Sequence, residues 1–199
     1  MDADDTIETT YVEKAVNILD KNPDIGIVYC KARRFGYEEK EWDLPEFNKT
    51  DILFSNCIFN SALYRKKDFY RAGKYKEYMK YGCEDWDLWL SFIELGLDVY
   101  RIDEILFNYR KYGNEISHRG AACIENIENV YENIGLNHAR LYFSNKECRK
   151  RIFHPIKDNS EEYNNKYKKY KKYKKLFNFF LFSAIIQLLV IFVLLSGGC

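Results

Sequence analysis

The feature that most constrains this chain lies near its C-terminus, where Leu176 to Leu195 runs for twenty residues without a charge. At about 1.5 Å per helical residue, that run would cross roughly the 30 Å of a bilayer's hydrocarbon core. Asn178, Ser183 and Gln187 weaken it, so an in-plane helix or a hairpin is the alternative to a spanning helix. Seven lysines between Lys166 and Lys175 precede it, and only Ser-Gly-Gly-Cys follows. That asymmetry predicts a single-pass C-terminal anchor with the rest of the chain on the cytoplasmic face of the membrane. Tyr163, Tyr167, Tyr170 and Tyr173 interleave with these lysines and continue into Phe177 and Phe180 on one helical face. Alternating Lys and Tyr also suit nucleic acid, because bases stack on aromatics. Their place directly before an apolar run favours a membrane surface, and no nucleic-acid partner is expected.

The overall net charge of +1 hides a division. Residues 1–120 carry 18 Lys and Arg against 23 Asp and Glu, whereas residues 121–199 carry 13 against 7. The acidic part, rich in aromatic and aliphatic residues, reads as a packed globule, and the basic part reads as its attachment. The six cysteines are far apart with no CxxC pair, which argues against a structural zinc site and for reduced thiols in a core.

Local patterns then set the elements of the globule. Thr10 followed by Glu13 is a capping-box signature. Val12, Ala15, Val16 and Leu19 recur at helical spacing, and Asn22-Pro23 closes that helix. Ile25–Cys30 predicts a short buried strand, and residues 31–50 a polar surface loop. A turn of helix near Ile52–Phe54 and a strand near Ile58–Tyr64 follow. Lys67–Ala72 predicts a short helix closed by Gly73, and Glu84–Leu95 a longer one ended by Gly96. Val99–Ile102 and Ile105–Tyr109 read as two short strands. This mixture without repeats predicts an α/β sheet flanked by helices. The domain reading is a globule at 1–117, a helical extension at 118–160, a basic juxtamembrane helix at 161–175 and the membrane segment at 176–195.

Two acidic clusters carry chemistry. In Met1-Asp2-Ala3-Asp4-Asp5, Asp2 and Asp4 point the same way if the segment is a strand end. Paired carboxylates at that spacing can share a hard divalent cation, and that cation can hold a diphosphate. The competing reading is simply an acidic terminus. In Glu84-Asp85-Trp86-Asp87, helical spacing places Glu84, Asp87, Ser91 and Glu94 on one polar stripe, read as a solvated face. Asp85 instead heads the apolar line of Leu88, Trp89 and Phe92, as a helix cap or as a functional acid or base. Trp86 and Trp89 either stack on a sugar ring or belong to the core. His118, His138 and His154 read as surface residues.

Four segments in order resemble family 2 glycosyltransferases: DADDTI, NPDIGIVY, SNCIFNSALYRKKDFYRAGKY and GCEDWDLWLSFIELGLDVYRIDEILFNYR. The resemblance runs from Asp2 to about Ser117 and implies a GT-A fold, a Rossmann-like mixed sheet. It further implies inverting transfer of a sugar from a nucleotide-diphosphate donor to a glycan or lipid-linked acceptor. By that resemblance, Asp4 coordinates Mn²⁺ or Mg²⁺, Asp2 helps hold the metal or the ribose, Asp85 is the base and Glu84 positions the acceptor. Trp86 would contact the acceptor. Two departures stand out. Where many members carry a histidine after the last strand, this chain has Tyr112. The family's first strand and the acidic residue that reads the nucleobase have no counterpart ahead of Asp2. The chain is therefore expected to be an incomplete GT-A domain, working with a separate N-terminal half. The alternative is a non-catalytic, membrane-tethered binding or partner module.

Overall fold

The computed structural model describes residues 1–113 and 118–153. It is mixed α/β and divides into two compact units, Met1–Ala121 and Ala122–Cys199. The first is organised by one mixed sheet. Strands β1 (Thr6–Ile7), β2 (Ile25–Gly36), β3 (Lys40–Trp42), β4 (Leu63–Tyr64) and β5 (Asp98–Lys111) form it in the order β1-β5-β2-β3, with β4 also on β2. β2 and β5 are parallel, and the remaining pairings are antiparallel.

The sequence places helix α1 well, at Tyr11–Lys21, but only half of the expected apolar face is buried. Tyr11, Ala15 and Leu19 are buried, while Val12 and Val16 are exposed. Thr10 makes no side-chain cap, so the expected capping box does not form. Helix α2 (Lys66–Arg71) ends at Gly73, which takes φ +84°, a conformation that favours glycine. Helix α3 (Glu84–Glu94) ends likewise before Gly96 at φ +79°. A 3-10 turn covers Asp51–Leu53.

The strands depart further from expectation. Residues 31–36 continue β2 rather than opening a loop, and Lys40–Trp42 pairs back onto it as β3. The charged residues there are satisfied laterally. Arg34 pairs with Glu38 at 3.1 Å, and its guanidinium lies 5.3 Å from the Trp42 ring centre. The two strands expected at 99–109 are one. Its register on β2 jumps from Ile102 opposite Cys30 to Ile105 opposite Lys31. Asp103 and Glu104 are the bulged residues, reaching solvent to pair with Lys31 and Lys14. Only Leu63–Tyr64 of the expected strand at 58–64 is extended into the sheet.

The Ile25–Cys30 half of β2 is paired on both edges, by β5 and by β4, and Ile27 through Cys30 are fully buried. Its start is tied down by Arg65. That guanidinium donates to the carbonyls of Leu19, of Asn22 at 2.9 Å and of Ile25 at 2.7 Å. It also pairs with Asp68 at 3.3 Å, a carboxylate that is 1% exposed and takes a second bond from Arg71 at 2.8 Å.

Helix α4 (His118–Glu125) leads into the second unit. Its helices α5 (Ile127–Asn137), α6 (Ala139–Ser144) and α7 (Lys146–Phe153) pack in sequence. Ile134, Tyr142 and Cys148 are fully buried there, and so is His138, contrary to the surface position expected for it.

The fold class expected from the sequence is corrected in one respect. Among the described residues no helix is long and apolar enough to cross a membrane. The transmembrane helix is therefore not part of the observed mixed α/β fold. The segments read as a juxtamembrane helix (161–175) and a membrane span (176–195) lie outside the described residues.

Two substitutions test this packing. At Gly26 an added Cβ would lie 2.7 Å from the Leu97 Cβ and 3.1 Å from Phe92. Gly26→Ala should destabilise the chain by about 1–3 kcal/mol in urea unfolding, through overpacking. Arg65→Met removes charge-assisted bonds to three carbonyls and to Asp68, and should cost roughly 1.5–3 kcal/mol in the same measurement. An unchanged midpoint for Arg65→Met would show that the clamp does not hold β2 in place.

Candidate active site

The two acidic clusters of the sequence meet in space. A cleft of about 240 Å³ is lined by Asp2, Asp85, Asn60, Trp42, Phe107 and Tyr109, among others. Phe107 and Tyr109 lie near the C-terminal end of β5, where open α/β sheets present their ligand sites. Asp2 precedes β1, which runs antiparallel to β5 and so begins at that same end.

Asp85 arrives from the first turn of α3. Gly82 at φ +106° and Cys83 at φ +61° turn the chain into this helix. A non-glycine residue in the left-handed region is uncommon, and such backbone costs of order 1–3 kcal/mol that the surrounding packing must hold. The Trp86 amide donates to Asp85 Oδ1 at 2.7 Å, and the helix N-terminus favours the carboxylate. Asp85 is half-buried and lines the cleft, whereas Glu84 is half-buried outside the lining. Tyr75 stands near both charges. Its hydroxyl pKa is pushed up, first by burial, then by its hydrogen bond with Tyr64, and also by Asp85 and Glu84.

The rest of α3 corrects two expectations. Trp86 is 3% exposed, and its indole donates to the Ile52 carbonyl at 2.6 Å. Trp89 is fully buried and donates to Ile58 at 3.1 Å. Both rings hold the 52–58 segment against the helix, so Trp86 offers no ring face for stacking on an acceptor. The Glu84–Asp87–Ser91–Glu94 stripe is not a solvated face either. Asp87 is fully buried, and Ser91, 7% exposed, donates back to the Asp87 carbonyl at 3.0 Å.

The N-terminal acidic segment is a turn rather than a strand end, with the Asp5 amide on the Asp2 carbonyl at 3.4 Å. Asp2 and Asp4 are exposed, and Asp5 is 6% exposed. The turn is bolted to the end of β5. The Arg110 amide donates to Asp5 Oδ1 at 2.9 Å, and Arg110 Nε donates to the Asp4 carbonyl at 2.9 Å. Tyr112 hydrogen-bonds to Asp4; desolvation and then the Asp4 charge raise its pKa. Asn60 Nδ2 donates to Asp2 Oδ1 at 3.3 Å. Among the described residues no group of three or more His, Cys, Asp or Glu side chains is arranged to hold a metal. Because the segment is a turn, the alternation that would aim Asp2 and Asp4 the same way along a strand is absent, and these two carboxylates remain the residues that would hold a cation.

Trp42, Tyr109 and Asn60 are cleft residues that the sequence reading missed. Trp42 fell in the supposed loop, and its ring sits 5.1 Å from that of Tyr109, tilted by 41°. The signal that could have found it is the alternation of Lys40, Glu41 and Trp42 after a glycine, the pattern of a hairpin's return strand.

Asp5 gives a pH test. Its pKa is raised, chiefly by burial and further by Asp4 and Asp2, against the lowering by the Arg110 amide. A raised acid favours the protonated folded state, so its contribution is fully present below the unfolded value of about 3.9 and is lost as pH rises through the folded value. Asp5→Asn cannot lose a proton. Its melting temperature relative to wild type should therefore rise between pH 4 and pH 7 in thermal scans, and a difference independent of pH would contradict this.

Comparison of the chain with protein-family models and with curated proteins found no match in either.

Proposed function

We propose that this chain supplies the metal-side and acceptor-side carboxylates of an inverting glycosyltransferase, which moves a sugar from a nucleotide diphosphate to a glycan or lipid-linked acceptor. The reading rests on one observation above all. Asp2 and Asp85, far apart in the first unit's sequence, line a single cleft together with amide and aromatic side chains. That combination is what sugar chemistry uses, with carboxylates and amides for hydroxyls and rings for apolar faces. The four segments resembling a GT-A glycosyltransferase give the reaction its type.

In this reading Asp85 is the general base. Its carboxylate accepts the proton of the acceptor hydroxyl as that oxygen attacks the anomeric carbon. The new C–O bond forms on the face opposite the departing diphosphate, and the configuration inverts. Asp2 and Asp4 would hold a divalent cation, and Asn60 and Tyr112 orient those two carboxylates. When bound, the cation supplies positive charge for the leaving diphosphate. Glu84, outside the lining, would act on the acceptor only through neighbouring groups.

Transfer from a panel of labelled nucleotide-diphosphate sugars to oligosaccharide acceptors, with Mn²⁺ present, tests the proposal. Asp85→Asn should lower turnover by about 10²–10⁴. The amide still presents an oxygen to the Trp86 amide, so the stability loss should stay below the roughly 0.5–2 kcal/mol of a lost cap. Asp87→Asn should act in the opposite sense, lowering the melting temperature because the site is buried while leaving turnover of the folded protein near wild type. Asp4→Asn should raise the Mn²⁺ concentration needed for half-maximal rate. Near wild-type transfer by Asp85→Asn would remove the base assignment. Absence of transfer from every donor, by the wild-type chain alone and combined with the N-terminal half of a related enzyme, would leave a non-catalytic binding or partner module.

A further inference from the structure

A second cleft, also of about 240 Å³, adjoins the first. Trp42 and Leu44 line both. The second is otherwise bounded by Tyr29, Lys31, Glu46 and Arg101, with further carboxylates from Glu41 in β3 and Asp43 just after it. Tyr29 is fully buried on β2, yet among the described residues its hydroxyl finds no hydrogen-bond partner of good geometry. The Phe47 amide lies close enough to favour the phenolate, but the neutral hydroxyl donates to no protein acceptor, and burial pushes its pKa up to about 12. A buried, unmatched phenol costs free energy unless something else accepts its proton. Beside it stands the Arg101–Glu46 pair at 2.7 Å, which offers both donors and acceptors.

We infer that the two clefts are consecutive subsites for one glycan chain, with the acceptor's terminal ring beside Asp85 and its next ring over Tyr29 and Arg101. The inference rests on the glycosyl-transfer reading for the first cleft. Each cleft falls below the roughly 300–1,000 Å³ of a drug-sized pocket, so each takes one ring rather than two. Trp42 and Tyr109 form the aromatic wall of the first, suited to the C–H face of a pyranose. The second is lined by Lys31, Arg101 and carboxylates, which suits hydroxyls and excludes an acyl chain. This charged lining selects a glycan over a lipid tail as occupant. The Tyr29 hydroxyl would donate to a ring or hydroxyl oxygen of the second sugar and so gain the acceptor it lacks in the protein.

Calorimetric titration of the full chain tests this without requiring transfer. The probes are cellotetraose, maltotetraose and chitotetraose, each against the methyl glycoside of its own monosaccharide. At least one tetrasaccharide should bind about tenfold or more tighter than its monosaccharide. Tyr29→Phe should weaken that tetrasaccharide roughly three- to tenfold, the value of one hydrogen bond, and leave the monosaccharide unchanged. Arg101→Gln, at a more accessible position, should do the same if Tyr29→Phe folds poorly. Trp42→Ala should weaken both ligands. Because binding is read by heat alone, tetrasaccharide selectivity without any sugar transfer would mean that the subsites stand and the reaction reading fails, which separates failure of the reaction from failure of the subsites. Equal affinity for one ring and four, no measurable binding of any probe, or indifference of the tetrasaccharide to both second-cleft variants would overturn the inference.

Discussion

The parallel pairing of β2 with β5 is the constraint on which the first unit depends. Two parallel strands cannot be joined by a tight turn, so everything between Gly36 and Asp98 must cross over and return to the start of β5. That crossover contains β3, the 52–58 segment, β4, α2 and α3. The acid-bearing helix is its last element, and Asp85 is therefore delivered beside the sheet shortly before β5 begins. β5 then carries Phe107 and Tyr109 to its far end, and β1 lies antiparallel against that end with Asp2 just before it. Residues remote in sequence converge because one long ladder sets the distance between them.

The crossover is held by side-chain donors to carbonyls at places where no sheet ladder is available. Trp86 and Trp89 bind the carbonyls of Ile52 and Ile58, and Tyr11 reaches the Ser61 carbonyl at 3.2 Å. Arg65 does the same for the end of α1 and the start of β2. An irregular segment packed into a core must find partners for its peptide groups, and large aromatic donors supply them while filling volume. This explains why α3 is buried on nearly all sides, with Asp87 and Ser91 inside. It also explains why a tryptophan pair resembling a sugar platform serves the core instead.

How much of this was legible follows from which signals were local. The helices at 11–21, 66–71 and 84–94 were, because spacing and terminal glycines report local backbone geometry. The second half of β2 was not. Lys31, Arg33 and Arg34 read as surface, and only the ladders to β5 and β3, distant in sequence, make a strand of them, with Asp103, Glu8 and Glu38 as lateral partners for their charges. The split of β5 into two failed for a related reason, since a charged pair mid-strand looks like a break until the bulge is seen. Of the residues that line the two clefts, Asp2 and Asp85 stood out in the sequence by their spacing, but Trp42 and Tyr29 did not. The hairpin pattern that could have exposed Trp42 was obscured by the charges around it, and nothing local marks an unmatched buried phenol, which acquires meaning from the cleft around it.

The turn at Asp2–Asp5 shows how the protein manages three neighbouring carboxylates. Like charges so close repel, and the strain is distributed by giving each acid a different environment. Asp5 is drawn inside and takes an amide bond that favours its anion, against burial that opposes it. Asp2 and Asp4 stay in solvent, where water screens them, and each accepts a neutral donor, Asn60 for one and Tyr112 for the other. A neutral donor orients a carboxylate without cancelling its charge, as Lys or Arg would. Arg110 stands beside the turn, yet its guanidinium lies 4.2 Å from the Phe35 ring centre, and its Nε bonds the Asp4 carbonyl rather than a carboxylate. The negative charge of this turn is thus left unpaired by the arginine beside it, which serves instead to bolt the turn to the end of β5.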